Sequence, residues 1–424
     1  MAIALLDLAD SNLQLWHDNT RLQSPGYALL EGNDYVFGLP ARASARLKPR
    51  DINTRFWWQL GTEALQPALG PARHTADLAH AHLNALHRDG GQPGEILIAV
   101  PGTMQREQLS LLLGIAQQCP FNPVGLVNRS ALLASLHGGF SRIYHLELQL
   151  HQSAVSTVAI DSGQCHLERA QALPGCGLLQ LQERLVEAVA SAFVRQARFD
   201  PRRQAENEQQ LYDALPGLLQ HLAREDECNI DTGGYQARIS RSDLAECAQR
   251  LEQSAAQAIG QVEPGELLLL DPVLALLPGL KSRLGTAQAL DAEDVQWALQ
   301  AHGNALVQRG EALHLVNDLP LANPETRSPQ GQAITQPEAR PAVNAGTPAT
   351  HWLQGHSATA LNPAGTPLAA GWQLRQSASG WQLEGSGTAP LVNGQSYTEG
   401  QPLVAGDEIR IGNDFVARLI EVEG

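Results

Sequence analysis

Glu95-Ile-Leu-Ile-Ala-Val-Pro-Gly102 runs directly into Met104–Gln118, a stretch that reads as helix. An apolar run that stops at Pro-Gly and enters a helix is the signature of an α/β unit. Upstream, Ile3–Leu8 suits a buried strand, and Leu13-Gln-Leu-Trp16 alternates so as to pair with it. Tyr27–Leu30 and Asp34–Phe37 flank the turn residues Glu31-Gly-Asn33. Residues 75–88, rich in Ala and Leu, read as helix. Downstream, Val124–Val127 is a short strand and Ser130–Leu136 a helix.

A second strand cluster covers Ile143–Leu150, Ala154–Ile160 and Cys165–Ala172. Leu178, Leu181, Leu185, Val189 and Phe193 then recur at spacings of three and four, which places them on one helix face. Two polar helical stretches, 203–225 and 241–260, bracket the alternating Tyr235–Ser240. Glu266–Leu270 reads as a buried strand, Asp291–Val307 as a helix and Ala312–Val316 as a short strand. Strands thus come in two antiparallel clusters, each followed by strand–helix units.

From Pro320 to Pro348 large apolar residues nearly vanish, which predicts a linker. Beyond it, Gly371–Leu374, Gly380–Leu383, Glu408–Ile411 and Phe415–Ile420 alternate between the turn signals Asn393-Gly394, Gly406-Asp407 and Gly412-Asn413. They predict a small all-β sandwich.

Composition narrows the function. Hydrophobic residues make up 43% of the 424 and charged ones 17%, enough apolar material for large cores. The net charge of -15 repels phosphate backbones and argues against nucleic acid as a partner. Cys119, Cys165, Cys176, Cys228 and Cys247 include no Cys-x-x-Cys pair, which suits free thiols in a reducing cytoplasm. MAIALLDLAD lacks the basic start of a signal peptide, and no run is long enough to span a bilayer, so membrane insertion is not expected.

Taken in order, the first 316 residues resemble the actin-like ATPase domain of DnaK-type heat-shock chaperones. Ile3–Leu8 sits where that family has its first phosphate loop. Asn53–Gly61 resembles the segment that carries a catalytic lysine, and Ile96–Pro101 with Gln105-Arg106 the strand–Pro–helix of the first lobe. Asn128–Ala134 resembles the connecting helix, Leu173-Pro-Gly-Cys-Gly177 the Gly-Gly turn, Leu267–Leu280 the adenosine strand and loop, and Ala292–Ala301 the closing helix. The resemblance implies an α/β fold of two duplicated, ribonuclease H-like lobes, 1–141 and 142–319, then a linker, 320–349, and a β-sandwich, 350–424.

The chemistry departs from that pattern. Phosphate loops need glycine because backbone N–H groups must approach the phosphates closely. The family's Asp-Leu-Gly-Thr-Thr-Asn is here Asp7-Leu-Ala-Asp10-Ser-Asn12, which adds a methyl and a carboxylate. The second loop is Glu147-Leu-Gln-Leu-His151-Gln-Ser153, without glycine. Gln59 falls at the lysine, Arg129 at the glutamate after Asn128, and Asp271-Pro272 at the adenosine-loop glycines; the adenine-sandwiching helix reads Leu215-Pro-Gly-Leu-Leu-Gln220. If ATP and Mg²⁺ were retained, Asp7, Ser11, Asn12, Gly175 and Gly177 would line their site. The family's peptide-binding domain is not expected in the residues after 316.

The C-terminal residues resemble a forkhead-associated (FHA) domain through Gly380–Glu384, Leu391–Gly394 and Gly406–Gly412. Its phosphothreonine-reading arginine falls on His356, and its Ser-Thr-Asn-Gly stretch on Ser386-Gly-Thr-Ala389, so the arginine and asparagine are missing. His356, Ser357, Ser386, Thr388 and Asn393 are the loop positions that would meet a partner.

Other signals are weaker. His74, His80, His82 and His87 read as a solvated helix face rather than a metal site. Trp57-Trp58 reads as packing, Gly233-Gly234 as a hairpin turn and Glu225-Asp-Glu227 as a solvated loop. The expectation is a non-catalytic pseudo-ATPase, without catalytic residue, cofactor or metal, that acts as a protein-interaction scaffold in a bacterial cytoplasmic assembly. A nucleotide-binding switch with little or no hydrolysis, a weak ATPase and a sugar-kinase-like enzyme are the alternatives.

Overall fold

The computed structural model describes residues 3–18, 20–309, 312–322, 350–354, 357–362, 365–369, 371–377, 380–385, 390–392, 395–397, 403, 407–411 and 415–420. The chain forms two compact units, Met1–Ser328 and Pro329–Gly424.

The first unit opens with strands β1 (Ala4–Asp7), β2 (Leu13–His17) and β3 (Thr20–Ser24). A side sheet follows, made of β4 (Ala28–Glu31), β5 (Asp34–Phe37) and β6 (Ile52–Asn53), with helix α1 (Gly38–Arg42) inserted. The hairpin β7 (Ala64–Leu69) and β8 (Ala72–His74) leads into α2 (Thr75–Asp89). Then come β9 (Glu95–Val100), α3 (Arg106–Ala116), β10 (Asn122–Asn128) and α4 (Arg129–Ala134).

The second lobe repeats the scheme with β11 (Arg142–Leu148), β12 (Gln152–Asp161), β13 (Gln164–Pro174) and α5 (Leu178–Ala197). It adds α6 (Ala205–Leu222), the hairpin β14 (Glu227–Thr232) and β15 (Tyr235–Ser240), α7 (Arg241–Leu244) and α8 (Gln249–Ile259). It ends with β16 (Glu266–Leu270), α9 (Pro272–Ala275), α10 (Leu280–Arg283), β17 (Ala287–Ala289), α11 (Asp294–Leu306), β18 (Leu315–Val316) and β19 (Asp318–Pro320).

The two large sheets have the same order. The first runs β3-β2-β1-β9-β10 and the second β13-β12-β11-β16-β17, so each reads third, second, first, fourth, fifth. In each, the first three strands are antiparallel and the last two lie parallel to the first. β18 extends the first sheet beside β10, and β19 extends the second beside β13. β9 and β16 are buried almost throughout because parallel strands are covered on both faces, which is why their sequences are continuous apolar runs. Leu97, Val127, Ile143, Leu267 and Leu269 of the two sheets share one core with α4 and α11. The lobes are therefore joined by packing as well as by the chain.

Several expectations shift. The 241–260 stretch breaks into α7 and α8, and Tyr235–Ser240 pairs with β14, whose first residue, Glu227, belongs to the acidic cluster expected in a loop. Gly233 and Gly234 do form that hairpin's turn, both with positive φ. Pro320 ends β19, and the Ala322 amide bonds the Ser135 carbonyl at the end of α4, so backbone contacts with the first unit continue past the expected linker start. All five cysteines are free. Among the described residues no helix is long and apolar enough to cross a membrane.

The second unit contains β20 (His351–Gln354), β21 (Ser357–Ala360), β22 (Thr366–Pro367), β23 (Trp372–Ser377) and β24 (Gly380–Gly385). β25 (Leu391–Val392), β26 (Gln395–Ser396), β27 (Glu408–Ile411) and β28 (Phe415–Ile420) complete it. One sheet runs β21-β20-β28-β27-β25-β26 and the other β22-β23-β24. Leu374, Trp381, Leu383, Ile409 and Leu419 form its core. The turn residues Asn393-Gly394, Gly406 and Gly412-Asn413 lie outside the described residues.

Candidate functional site

In open α/β sheets, functional groups collect beyond the carboxyl ends of parallel strands. Here the ends of β1, β10, β11 and β16 converge and deliver Asp7, Arg129, Glu147 and Asp271 to one buried point. Asn128 caps α4 by accepting from the Ser130 and Ala131 amides, which fixes the start of the helix that carries Arg129.

Arg129 closes this point. Its Nε donates to both Asp7 oxygens, at 2.9 and 3.1 Å, and its Nη1 to Asp271 Oδ1 at 2.9 Å. His145 lies beneath, with Nε2 3.3 Å from Asp271 Oδ1 and Nδ1 2.9 Å from Ser130 Oγ. The Leu148 amide donates to the other Asp271 oxygen at 2.8 Å. Glu147 accepts from Gln149 Nε2 at 3.3 Å through one oxygen, and its other oxygen has no partner.

One guanidinium faces three buried carboxyl groups, and they do not share it equally. Burial works against an ionised Asp271, but Arg129, His145 and the Leu148 amide outweigh it and hold this carboxyl well below the usual range. Burial pushes Asp7 up, and its bonds to Arg129 only partly offset this. Glu147 is raised by burial in the same way. Burial also opposes charge on Arg129, but Asp271 and Asp7 more than compensate. Asp271 is thus the ionised partner, while Asp7 and Glu147 keep their protons to higher pH than exposed carboxyls do.

The two hairpin tips above this cluster clasp each other. Ser11 Oγ donates to the Leu148 carbonyl at 2.6 Å, and the Leu150 amide donates to Asp10 Oδ1 at 2.8 Å. Burial first, and then Glu147, push the Asp10 carboxyl up to about 7 against that amide bond. His151 stacks on Trp58 across the lobes with ring centroids 5.0 Å apart, and its Nε2 lies 3.0 Å from the Thr54 carbonyl. Burial holds its imidazole down at about 4.

The resemblance implies ATP and Mg²⁺ here, and these residues do not fit them. A guanidinium already fills the space between Asp7 and Asp271. Free amides at the start of α5 would be an anion site, but Leu178 and Leu179 donate theirs to the Gln149 and Leu150 carbonyls. A Cβ at Gly177 would lie 2.4 Å from the His151 carbonyl carbon, so this glycine serves the packing of helix against hairpin. Gly175 has a φ of +71° and lies under the Arg250 guanidinium. Asn12 lines a cavity with Ser11, away from the ion pairs. Of the five predicted nucleotide residues, the structure brings Asp7 alone into the buried cluster.

The remaining candidates divide. His82 is not on a solvated face but fully buried: Trp57 Nε1 donates to its Nδ1 at 3.0 Å, Ser24 Oγ lies 2.8 Å from its Nε2, and burial pushes it down to about 3. Trp57 is core as expected, whereas Trp58 is 38% exposed. Gln59 is exposed. Among the described residues no group of His, Cys, Asp and Glu is arranged to hold a metal ion. His356, Ser386, Thr388 and Asn393 lie outside the described residues, as does the side chain of Ser357, which opens β21. The sequence marks Arg129 and Asp271 as separate departures from a family pattern; only the fold shows that they neutralise each other. No protein-family model matches this chain, and no curated protein does.

Proposed function

We propose that this protein is a non-catalytic, DnaK-like pseudo-ATPase that serves as a protein-interaction scaffold, with an actin-like body of two lobes and an FHA-like β module. The observation that carries the reading is the Arg129 guanidinium held between Asp7 and Asp271. Phosphoryl transfer depends on cations placed around phosphate, with carboxylates free to hold the metal. Here the carboxylates are spent on an internal cation. The repeated strand order of the two sheets supports the actin-like body, and the two-sheet C-terminal unit supports the β module. A nucleotide switch loses its ligand set, since Ser11 and the α5 amides are bonded within the protein. The partner is a protein met in the cytoplasm, contacted through surfaces rather than through phosphothreonine chemistry.

Calorimetric titration of the full chain with ATP and ADP, with and without Mg²⁺, tests this. The expected result is no saturable heat. A saturable isotherm, or ATP turnover lost on changing Asp7, would overturn the proposal.

A further inference from the structure

Two cavities share a wall between the lobes. One, of about 350 Å³, mixes polar lining from Arg46, Thr54, Arg55 and Gln209 with apolar lining from Ile52 and Leu179. The other, of about 220 Å³, is apolar and is lined by Leu181, Leu185, Leu215, Leu219, Leu276 and Leu277. Tyr27, Arg42 and Gln182 line both.

That shared wall carries polar side chains that make no internal hydrogen bond. Gln182 is 7% exposed and Tyr27 4%, yet neither side chain has a hydrogen-bond partner among the described residues. Their polar atoms are not sealed inside the protein but open onto the cavities, where they are free to bond a guest. Arg42 gives one N–H to the Tyr212 carbonyl at 3.3 Å and makes no ion pair among the described residues. A hydroxyl, a primary amide and a guanidinium therefore offer donors at the junction of a mixed and a leucine-lined chamber. Arg46 adds little free charge, since it is bound to Glu183 at 2.6 Å and stacked on Tyr212 at 3.8 Å. Glu183, on the first chamber's wall, disfavours a dianion. Arg42 at the shared wall and Arg55 on the first chamber make no ion pair among the described residues, and with Glu183 also on that chamber's wall the balance suits a single negative charge.

We propose that the paired chambers bind an aliphatic carboxylate: the head meets Arg42, Tyr27 and Gln182, and the chain lies among Leu181, Leu185, Leu219 and Leu276. A carboxylate accepts two parallel N–H bonds from a guanidinium, and the leucine wall supplies the apolar contact. The segments 215–220 and 271–277 that form the apolar wall are those the family resemblance assigns to a nucleoside. In this chain they present Leu215, Pro216, Leu219, Val273, Leu276 and Leu277.

The experiment is calorimetric titration of the full chain with decanoate below its micelle-forming concentration, with 1-decanol and adenosine as comparison probes. Saturable one-to-one heat with decanoate is expected, and much weaker binding of the other two. Arg42→Gln should lower decanoate affinity about tenfold or more, because the bond lost is charge-assisted. Leu276→Trp, which fills the apolar chamber, should abolish binding while leaving the thermal melt intact. Absence of decanoate heat, decanol bound as tightly as decanoate, adenosine bound in preference, or equal affinity in Arg42→Gln would each overturn the proposal. Should Arg42→Gln fail to fold, the decanoate–decanol comparison on the unaltered chain still decides. Nucleotide heat would remove the scaffold reading, and only these outcomes bear on the carboxylate site.

Discussion

The Arg129 cluster and the Tyr27–Gln182 wall both lie between the two lobes, and they solve burial in opposite ways. In the cluster, the cation, two aspartates and a histidine answer one another, and helix and hairpin amides close the approach. At the wall, a hydroxyl and an amide are left without partners and an arginine is half-used. The cluster's charges are answered inside the protein, apart from one Glu147 oxygen, whereas the wall's polar groups open onto the cavities and stay available to a guest. Where function should be sought therefore depends less on how many charged residues gather than on whether their bonds are already made.

The sharpest way to break this contrast is to remove the cation. Arg129→Met removes the cation from buried Asp7 and Asp271 and should destabilise the first unit by about 3–5 kcal/mol, read by urea unfolding. A loss under about 1 kcal/mol would show that the cluster holds nothing together. Gly177→Ala comes next. Its methyl would meet the backbone of residues 150–152 at 2.4–2.5 Å, too close to absorb, and should cost about 1–3 kcal/mol in the same assay.

Asp10 sharpens the contrast through pH. Its carboxyl is raised by burial from 3.8 to about 7, so the folded state binds this proton more tightly than the unfolded chain does. The stability it gives is complete below pH 3.8 and is lost as pH rises through about 7. Asp10→Asn keeps an acceptor for the Leu150 amide and loses the charge. It should be more stable than the unaltered protein by about 4 kcal/mol at pH 8, a difference that falls to about 0.5 kcal/mol at pH 4. His82 and His151, pushed down by burial to about 3 and about 4, act with the opposite sign, and their stability fades as pH falls below 6.5. Comparing the two proteins across pH isolates Asp10 from them. The smallest effect belongs to the exposed Lys48–Glu31 pair at 2.7 Å, where Lys48→Ala should change stability by less than about 0.5 kcal/mol.

The strands that carry the architecture were legible where both their faces are covered. Ile96–Val100 and Leu267–Leu270 are continuous apolar runs because helices bury them from two sides. β3 and β14 were missed for the complementary reason. Thr20–Ser24 is an edge strand mostly open to solvent, and of Glu227–Thr232 only Ile230 and Thr232 are buried. α1 was hidden by Gly38 and Pro40, residues that argue against helix but suit a five-residue turn. The buried cluster was half legible. Asp7 stood out at a strand end, and Arg129 and Asp271 as misfits, but their pairing spans 122 and 142 positions in sequence, and no local pattern encodes it. His82 went astray because the helix face it shares with Leu78, Leu83 and Leu86 turns inward, which the neighbouring histidines obscured.

The clasp between the hairpin tips has a consequence for association. Ser11 to Leu148, Leu150 to Asp10, and Trp58 over His151 fasten one lobe to the other. Two lobes free to swing would lose that freedom whenever a partner gripped both, and the lost entropy would be subtracted from affinity. Lobes already fastened have little left to lose. A partner that straddles them meets a preformed surface, and its grip is set by its own contacts rather than by the work of stilling a hinge.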